Sequence, residues 1–326
     1  MKLRDRNHIS EFIKDTEIID NSTPSYSLRA SKGKDGAKAA LIEKFLKTSD
    51  TETIEAFDQA FDQASAGQGY EVNNLLTLHS SALLALLCFF NLKGKTLIFP
   101  ENVNLTSLSV SEVFFEVENI VLEKNDRNSS IDIALWDEGS KTLLLLESKF
   151  IEPTNGGNIG TISVKYEEYL SDLEEYKINI SSSGKSINVE SKAKPGKGEK
   201  LPYYCGIKQM IAHLMGAMTG PAPYDDPKIR KRRKKYQQRY QEVFSQATSI
   251  YLGTILMDSE KIFEANEIEM IRAYQDLYRR SINKLKAKIK QTEDKEIHLI
   301  SEPLSYGALF SRSRTLLPTV KNFYCF

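Results

Sequence analysis

At 326 residues, with 40% hydrophobic and 27% charged side chains, the chain has the composition of a soluble globular protein and room for one large domain or two ordinary ones. Lys and Arg total 44, as do Asp and Glu, so net charge is zero and any nucleic-acid site must be a local patch. Cys88, Cys205 and Cys325 are odd in number, far apart and without metal-ligand spacing, which fits a reduced, cytoplasmic compartment rather than a disulfide framework. The N-terminus leads into no apolar core, and the longest apolar run, Ala82–Phe90, is far short of the roughly 20 residues of a membrane span.

Residues 1–36 are polar and read as an arm or cap. Ala37–Leu46 and Thr53–Ala64 are expected as helices, and Gly67 and Gly69 break the chain after them, giving a small helical N-terminal part (1–66) ahead of a main domain (67–326). Val72–Leu92 is apolar nearly all round and predicts a buried helix. Its first half carries Asn73, Asn74, His79, Ser80 and Ser81; His79 reads first as a hydrogen-bonded core histidine, and Glu71 as a charge at a helix start. Val113–Glu123 alternates like a strand and puts Glu116 and Glu118 in apolar company, although solvated edge-strand glutamates fit the pattern equally well.

Two apolar runs follow, Ile131–Trp136 and Thr142–Phe150, joined by Asp137-Glu138-Gly139-Ser140, which predicts a β-hairpin buried on both faces. Asp132, Glu147 and Lys149 are out of place in it, because ionisable groups in apolar strands are costly unless paired or holding a metal. With an even-numbered loop, either Glu138-Gly139 or all of Asp137–Ser140, Trp136 pairs with Lys141 and Asp132 lies opposite Leu145. Glu147 is then its diagonal neighbour on the same face, roughly 7–8 Å away. A buried structural ion pair is the plain alternative.

Asp132, followed fifteen residues later by Glu147-Ser148-Lys149 closing a run of leucines, resembles the D…(D/E)-x-K signature of the PD-(D/E)XK nuclease superfamily, in its restriction-endonuclease-like branch. Other E-x-K or D-x-K triplets, such as Glu190-Ser191-Lys192, close no apolar strand. The resemblance implies an α/β fold with a central mixed β-sheet flanked by helices. It implies Mg²⁺, replaceable by Mn²⁺, held by Asp132, Glu147 and a backbone carbonyl at Ser148, with Lys149 acting on the reacting groups. Glu116 is similar to the additional acid that related nucleases supply from before the Asp strand, and Val72–Leu92 to the helix they place before the sheet.

Beyond the hairpin, Ser163–Tyr176 predicts an amphipathic helix and Ser181–Lys200 a flexible excursion. Tyr203–Met218 predicts a second apolar helix, with Gln209 and His213 four apart on one face. RecB-like members carry Gln-x-x-x-Tyr on this helix; here His stands for Tyr, so Gln209 joins the site residues and His213 stays doubtful. Lys228, Arg230, Lys231, Arg232, Arg233, Lys234 and Lys235 form a basic block opening a helix to about Gln246, suited to phosphate contacts, or simply solvated. Strand Thr248–Met257, helix Ile262–Lys290, Glu296–Ser301 and Gly307–Leu317 complete the alternation.

The expected function is Mg²⁺-dependent hydrolysis of phosphodiesters, with DNA the favoured substrate, no membrane partner, and a homodimer left open. The alternatives are an inactive nucleic-acid-binding protein of the same fold, an RNA-directed nuclease, a structural α/β protein, and, remotely, a thiol hydrolase using Cys205 and His213.

Overall fold

The computed structural model describes residues 33–65, 80–121, 128–192, 194, 200–226, 229, 233–290 and 294–324. The chain is α/β, with a central mixed sheet between helices. Helices α1 (Gly33–Leu46), α2 (Thr51–Ala64) and α3 (Ser81–Phe89) come first, with a small ribbon of β1 (Thr96–Ile98) and β2 (Ser107–Ser109) after them. The sheet begins as an antiparallel meander of β3 (Glu112–Asn119), β4 (Ser129–Asp137) and β5 (Thr142–Lys149). Every residue of β5 is buried, as expected of a central strand covered on both faces.

Past the one-turn helices α4 (Glu152–Asn155) and α5 (Glu167–Leu170), the chain runs through α6 (Tyr204–Thr219) and α7 (Lys234–Gln246). It re-enters the sheet as β9 (Ser249–Leu256), parallel to β5. Helix α8 (Ala265–Leu285) then leads to β10 (Glu296–Leu299), parallel to β9, and β11 (Leu304–Ser305) pairs further along β9. Parallel neighbours need long crossovers, and these helices supply them. The strand order is β10-β9-β5-β4-β3. Two C-terminal helices follow, α9 (Tyr306–Ser313) and α10 (Pro318–Phe323).

Adjacent residues of β5 identify the two faces. Ser148 Oγ bonds the carbonyl of Ser81 on α3 and the hydroxyl of Tyr306 on α9, whereas Glu147 meets Gln209 and His213 of α6. The α3 face is held by aromatic edge contacts, Phe57 on Phe90 and Phe89 on Phe310. On the other face α6 is clamped by α8. A Cβ on Gly206 would lie 2.4 Å from the Tyr274 hydroxyl, so the close approach of the two helices needs a glycine there. Gly206→Ala is therefore expected to destabilise the fold by about 1–3 kcal/mol. Alanine in an unhindered helix would instead gain up to about 1 kcal/mol. Urea unfolding distinguishes the two signs.

Between α4 and α6 the expected helix and the 181–192 part of the expected flexible excursion are corrected, while residues 193 and 195–199 of that excursion lie outside the described residues. A second sheet forms there, ordered β6-β8-β7, from β6 (Gly160–Ser163), β7 (Tyr176–Ile180) and β8 (Ser186–Ser191). Only a 3₁₀ turn and the short α5 occupy the span expected as a helix. The Ser-Gly stretch is a hairpin turn, with Gly184 at φ 65°, and the alternating Ile187 and Val189 are fully buried. Local apolar spacing resembled a helix, but pairing with a neighbouring strand settled the outcome. No helix among the described residues is long and apolar enough to cross a membrane.

Candidate active site

The hairpin register differs from the expected one. Trp136 pairs with Leu143, not Lys141, and the unpaired loop is Glu138–Lys141, closed by Lys141 at φ 53°. Asp137 keeps its place in the strand because its carboxylate is satisfied locally, by the N–H groups of Gly139, Ser140 and Ser109. The loop is still even in number, and the two-residue shift moves Asp132 from opposite Leu145 to the cross-strand position of Glu147. Bridging between β4 and β5 stops one step earlier, at Ile133 and Leu146.

The pairing stops there because the strands turn over. Phe114 packs its ring on Tyr240 of α7, and Asn119 accepts the Tyr240 hydroxyl at 3.1 Å. Two residues five apart cannot share one face of a regular strand. Register with β4 is nonetheless kept on both sides, Phe115 with Ile133 and Val117 with Ile131. The reversal sits at Glu116, whose φ of 54° is left-handed, a conformation that costs about 1–3 kcal/mol and clusters at functional sites. β4 reverses at the same level, because Ser129, opposite Asn119, reaches His213 of α6, while Ala134 lies opposite Phe114.

Asp132 stands at this crossover, across from Glu116. Its Oδ2 accepts the Ser148 N–H at 2.7 Å, a donor that a continued ladder would have given to backbone. The carbonyl of Lys149 accepts from Met257 on the β9 side. A residue's N–H and C=O share one edge of a strand, and successive residues alternate edges. The Ser148 carbonyl therefore points into the same gap as its N–H, beside Asp132.

Glu147 and Lys149, at 3% and 4% exposure, lie deeper than the partly exposed Asp132. Glu147 Oε1 accepts from Lys149 Nζ at 2.6 Å and Gln209 Nε2 at 2.8 Å, and its Oε2 pairs with His213 Nε2 at 2.8 Å. Burial raises the Glu147 carboxyl, but Lys149 and His213 more than offset it and bring it down to about 2. Lys149 is held well above its ordinary range: burial opposes its charge, and the surrounding carboxylates of Glu147, Glu152 and Asp132 outweigh that. Glu152 is fixed in place by the Ser81 hydroxyl and the Phe150 N–H, both at 2.7 Å. Asp132 goes the other way. Burial first, then the nearby charges of Glu147 and Glu116, raise it well above the carboxylate range.

The remaining expected residues divide. Glu116 accepts from Ser130 Oγ at 2.7 Å and lies 3.8 Å from Arg233. Arg233, expected on a phosphate-facing surface, is instead buried at 7% exposure and bonds Glu118 at 3.0 Å. Helix α7 starts only at Lys234, which is partly buried, while Lys235 is exposed. Lys228, Arg230, Lys231 and Arg232 lie outside the described residues, as do Glu71, Asn73, Asn74 and His79. Cys205 Sγ donates to the Asn158 carbonyl and both ring nitrogens of His213 are engaged elsewhere, so the thiol–imidazole pair of a hydrolase is not formed. His213, left doubtful by the sequence, bonds Glu147, and Ser129, which the sequence did not single out, bonds His213. The four-residue spacing of Gln209 and His213 was the available signal for the first; nothing local marked the second.

The donors suit a hard divalent cation, which typically takes one or two carboxylates and keeps much of its water. Among the described residues no group of three or more His, Cys, Asp or Glu side chains forms a ready-made cage. Asp132 and Glu147 with the Ser148 carbonyl form a smaller set of oxygens. The observation that fits a cation is the surplus of carboxylates at Asp132, which stands beside Glu147 and Glu116 with Lys149 as the opposing charge and whose one hydrogen bond among the described residues comes from a neutral amide. Compared with known proteins, the chain matches no family model, no curated protein and no solved structure.

The two halves of the basic block are expected to act differently. The nucleic-acid reading of the block predicts that replacing Lys228, Lys231, Lys234 and Lys235 by Gln weakens DNA binding and reduces the slope of log K against log salt by about 0.9 for each phosphate no longer neutralised. Arg233→Gln should leave that slope unchanged and lower stability by about 1–3 kcal/mol, because it removes the charged donor of partly buried Glu118 and the ion-pair partner of buried Glu116, which keep Asn128 and Ser130 as donors. A fluorescence-anisotropy salt titration beside urea unfolding checks both.

Proposed function

We propose that the chain is a Mg²⁺-dependent nuclease of the PD-(D/E)XK kind, acting on phosphodiesters of DNA. The observation that carries this reading is the convergence of Asp132, Glu147, Lys149 and the Ser148 peptide where two central strands part. The order of elements supports it: a helix before the sheet, a strand bearing Glu116, the hairpin, then a helix bearing Gln209.

Asp132, Glu147 and the Ser148 carbonyl would hold the ion; once bound, Mg²⁺ supplies polarisation of a phosphate oxygen and an acidified water. Lys149 contributes a positive charge held in place by Glu147, which costs no reorganisation as negative charge grows on the phosphate. Gln209 keeps Glu147 in one rotamer. Asp132 is partly exposed, which supports approach of substrate from its side. The test is incubation of supercoiled and linear DNA with purified protein, with Mg²⁺, Mn²⁺ or EDTA. Nicking or degradation that EDTA abolishes is the expected result; inertness toward DNA and RNA with either metal would transfer the reading to a non-catalytic binding protein.

A further inference from the structure

Glu147 has a carboxylate's usual four acceptor positions, two on each oxygen. Lys149 and Gln209 occupy those of Oε1, and His213 takes one on Oε2. Among the described residues nothing takes the remaining lone pair, which belongs to Oε2, so Oε2 is the atom able to face a cation, and its direction is governed by His213. An ionised carboxylate can only accept, so the proton in that contact sits on Nε2. A neutral imidazole with Nε2–H carries its lone pair on Nδ1, which then needs a donor. The group present there is the hydroxyl of Ser129, at hydrogen-bonding distance and, like His213, buried.

We propose that Ser129 and His213 are a pair of positioning residues: Glu147 sets His213 as the Nε2–H tautomer, the Ser129 hydroxyl donates to Nδ1 and anchors the ring, and the anchored N–H aims Oε2 of Glu147 at the cation. The role given to the cation rests on the nuclease reading; the tautomer does not. A ring with two nitrogens can link Glu147 to the start of β4, as His213 does here. That link gives a consequence to the reversal of β4, which is what turns Ser129 toward α6. Without the hydroxyl, Nδ1 loses its donor and the ring its anchor, so Nε2–H no longer holds Oε2 in one direction.

Three measurements test the pair. Long-range ¹⁵N NMR of the wild-type protein at alkaline pH should show His213 protonated at Nε2 alone; a ring protonated at Nδ1, or an imidazolium, overturns the assignment without any substitution. Calorimetric titration with Mg²⁺ should give Ser129→Ala an affinity about 10-fold weaker than wild type. Ser129→Thr, which keeps the hydroxyl, should recover most of that loss. Ser129→Ala should also lower kcat at saturating Mg²⁺ with KM for DNA little changed. Equal Mg²⁺ affinity in wild type and Ser129→Ala overturns the proposal and leaves the nuclease reading standing. A wild-type protein with the expected tautomer that neither binds Mg²⁺ nor cuts DNA overturns the nuclease reading and the cation-directing role with it, while the Ser129–His213 bond stands.

Discussion

Lys149→Ala is expected to cut DNA about 10²–10³-fold more slowly than wild type, the loss typical of removing one preorganised electrostatic donor. Its Mg²⁺ affinity should hold or rise, because a positive charge leaves the neighbourhood of Asp132 and Glu147. Glu147 keeps two donors in this variant, Gln209 and His213, so its carboxylate is not stranded. DNA affinity should change little, since one buried ammonium contributes a small share of phosphate neutralisation. Calorimetric Mg²⁺ titration beside a plasmid-nicking time course separates these effects. Wild-type cleavage by Lys149→Ala, or loss of Mg²⁺ binding together with activity, would show that Lys149 does not have the role proposed for it.

Asp132→Asn is expected to abolish Mg²⁺ binding and cleavage yet make the metal-free protein more stable near neutral pH, by about 0.5–2 kcal/mol, the usual gain when a functional liability is removed. The Asp132 carboxyl is raised in the fold, by burial first and by Glu147 and Glu116 next, so the folded state binds more protons than the unfolded one once pH exceeds the ordinary value of 3.8. Wild-type stability from this group is full below pH 3.8 and falls as pH rises toward its raised folded value. The difference between Asp132→Asn and wild type should therefore be absent in acid and open with rising pH. Glu147 has the opposite slope: its carboxyl is lowered to about 2, so its contribution is complete above 4.5 and lost as pH falls from there toward 2. Urea unfolding of both proteins from pH 3 to 8 in EDTA reads this directly, and EDTA matters because bound Mg²⁺ would stabilise wild type alone. An Asn variant less stable than wild type at pH 7 would mean that the Asp132–Ser148 bond outweighs the repulsion from its neighbours.

Much of the fold was legible because local pattern and burial agreed. The leucine run Leu143–Leu146 could satisfy its apolar residues only inside a sheet, and the apolar stretch of α6 only beneath one. The second sheet was not legible, because Leu170, Leu173 and Tyr176 follow a helix-like spacing and Ser181–Gly184 resembles a linker. The alternation of Ile187 and Val189 gains its meaning from strands on either side. Arg233 sat in a run of cations whose composition suggests solvent, and only the position of Glu118 on the edge strand beside α7 explains its burial.

The sequence by itself determined that Asp132, Glu147 and Lys149 lie in apolar strands, since no rearrangement of the chain removes charges from runs so rich in Leu and Ile. It also determined that Gln209 and His213 share a helix face, because 3.6 residues per turn leaves no alternative. Only the tertiary structure decided which strand positions meet. Register depended on how Asp137 satisfied its carboxylate, and the reversal at Glu116 on a left-handed residue that strand pairing holds in place. Both the reach of Ser129 to His213 and the meeting of Asp132 with the Ser148 N–H follow from that reversal, in which residues far apart in sequence fix one another's backbone, a constraint that no local window of sequence contains.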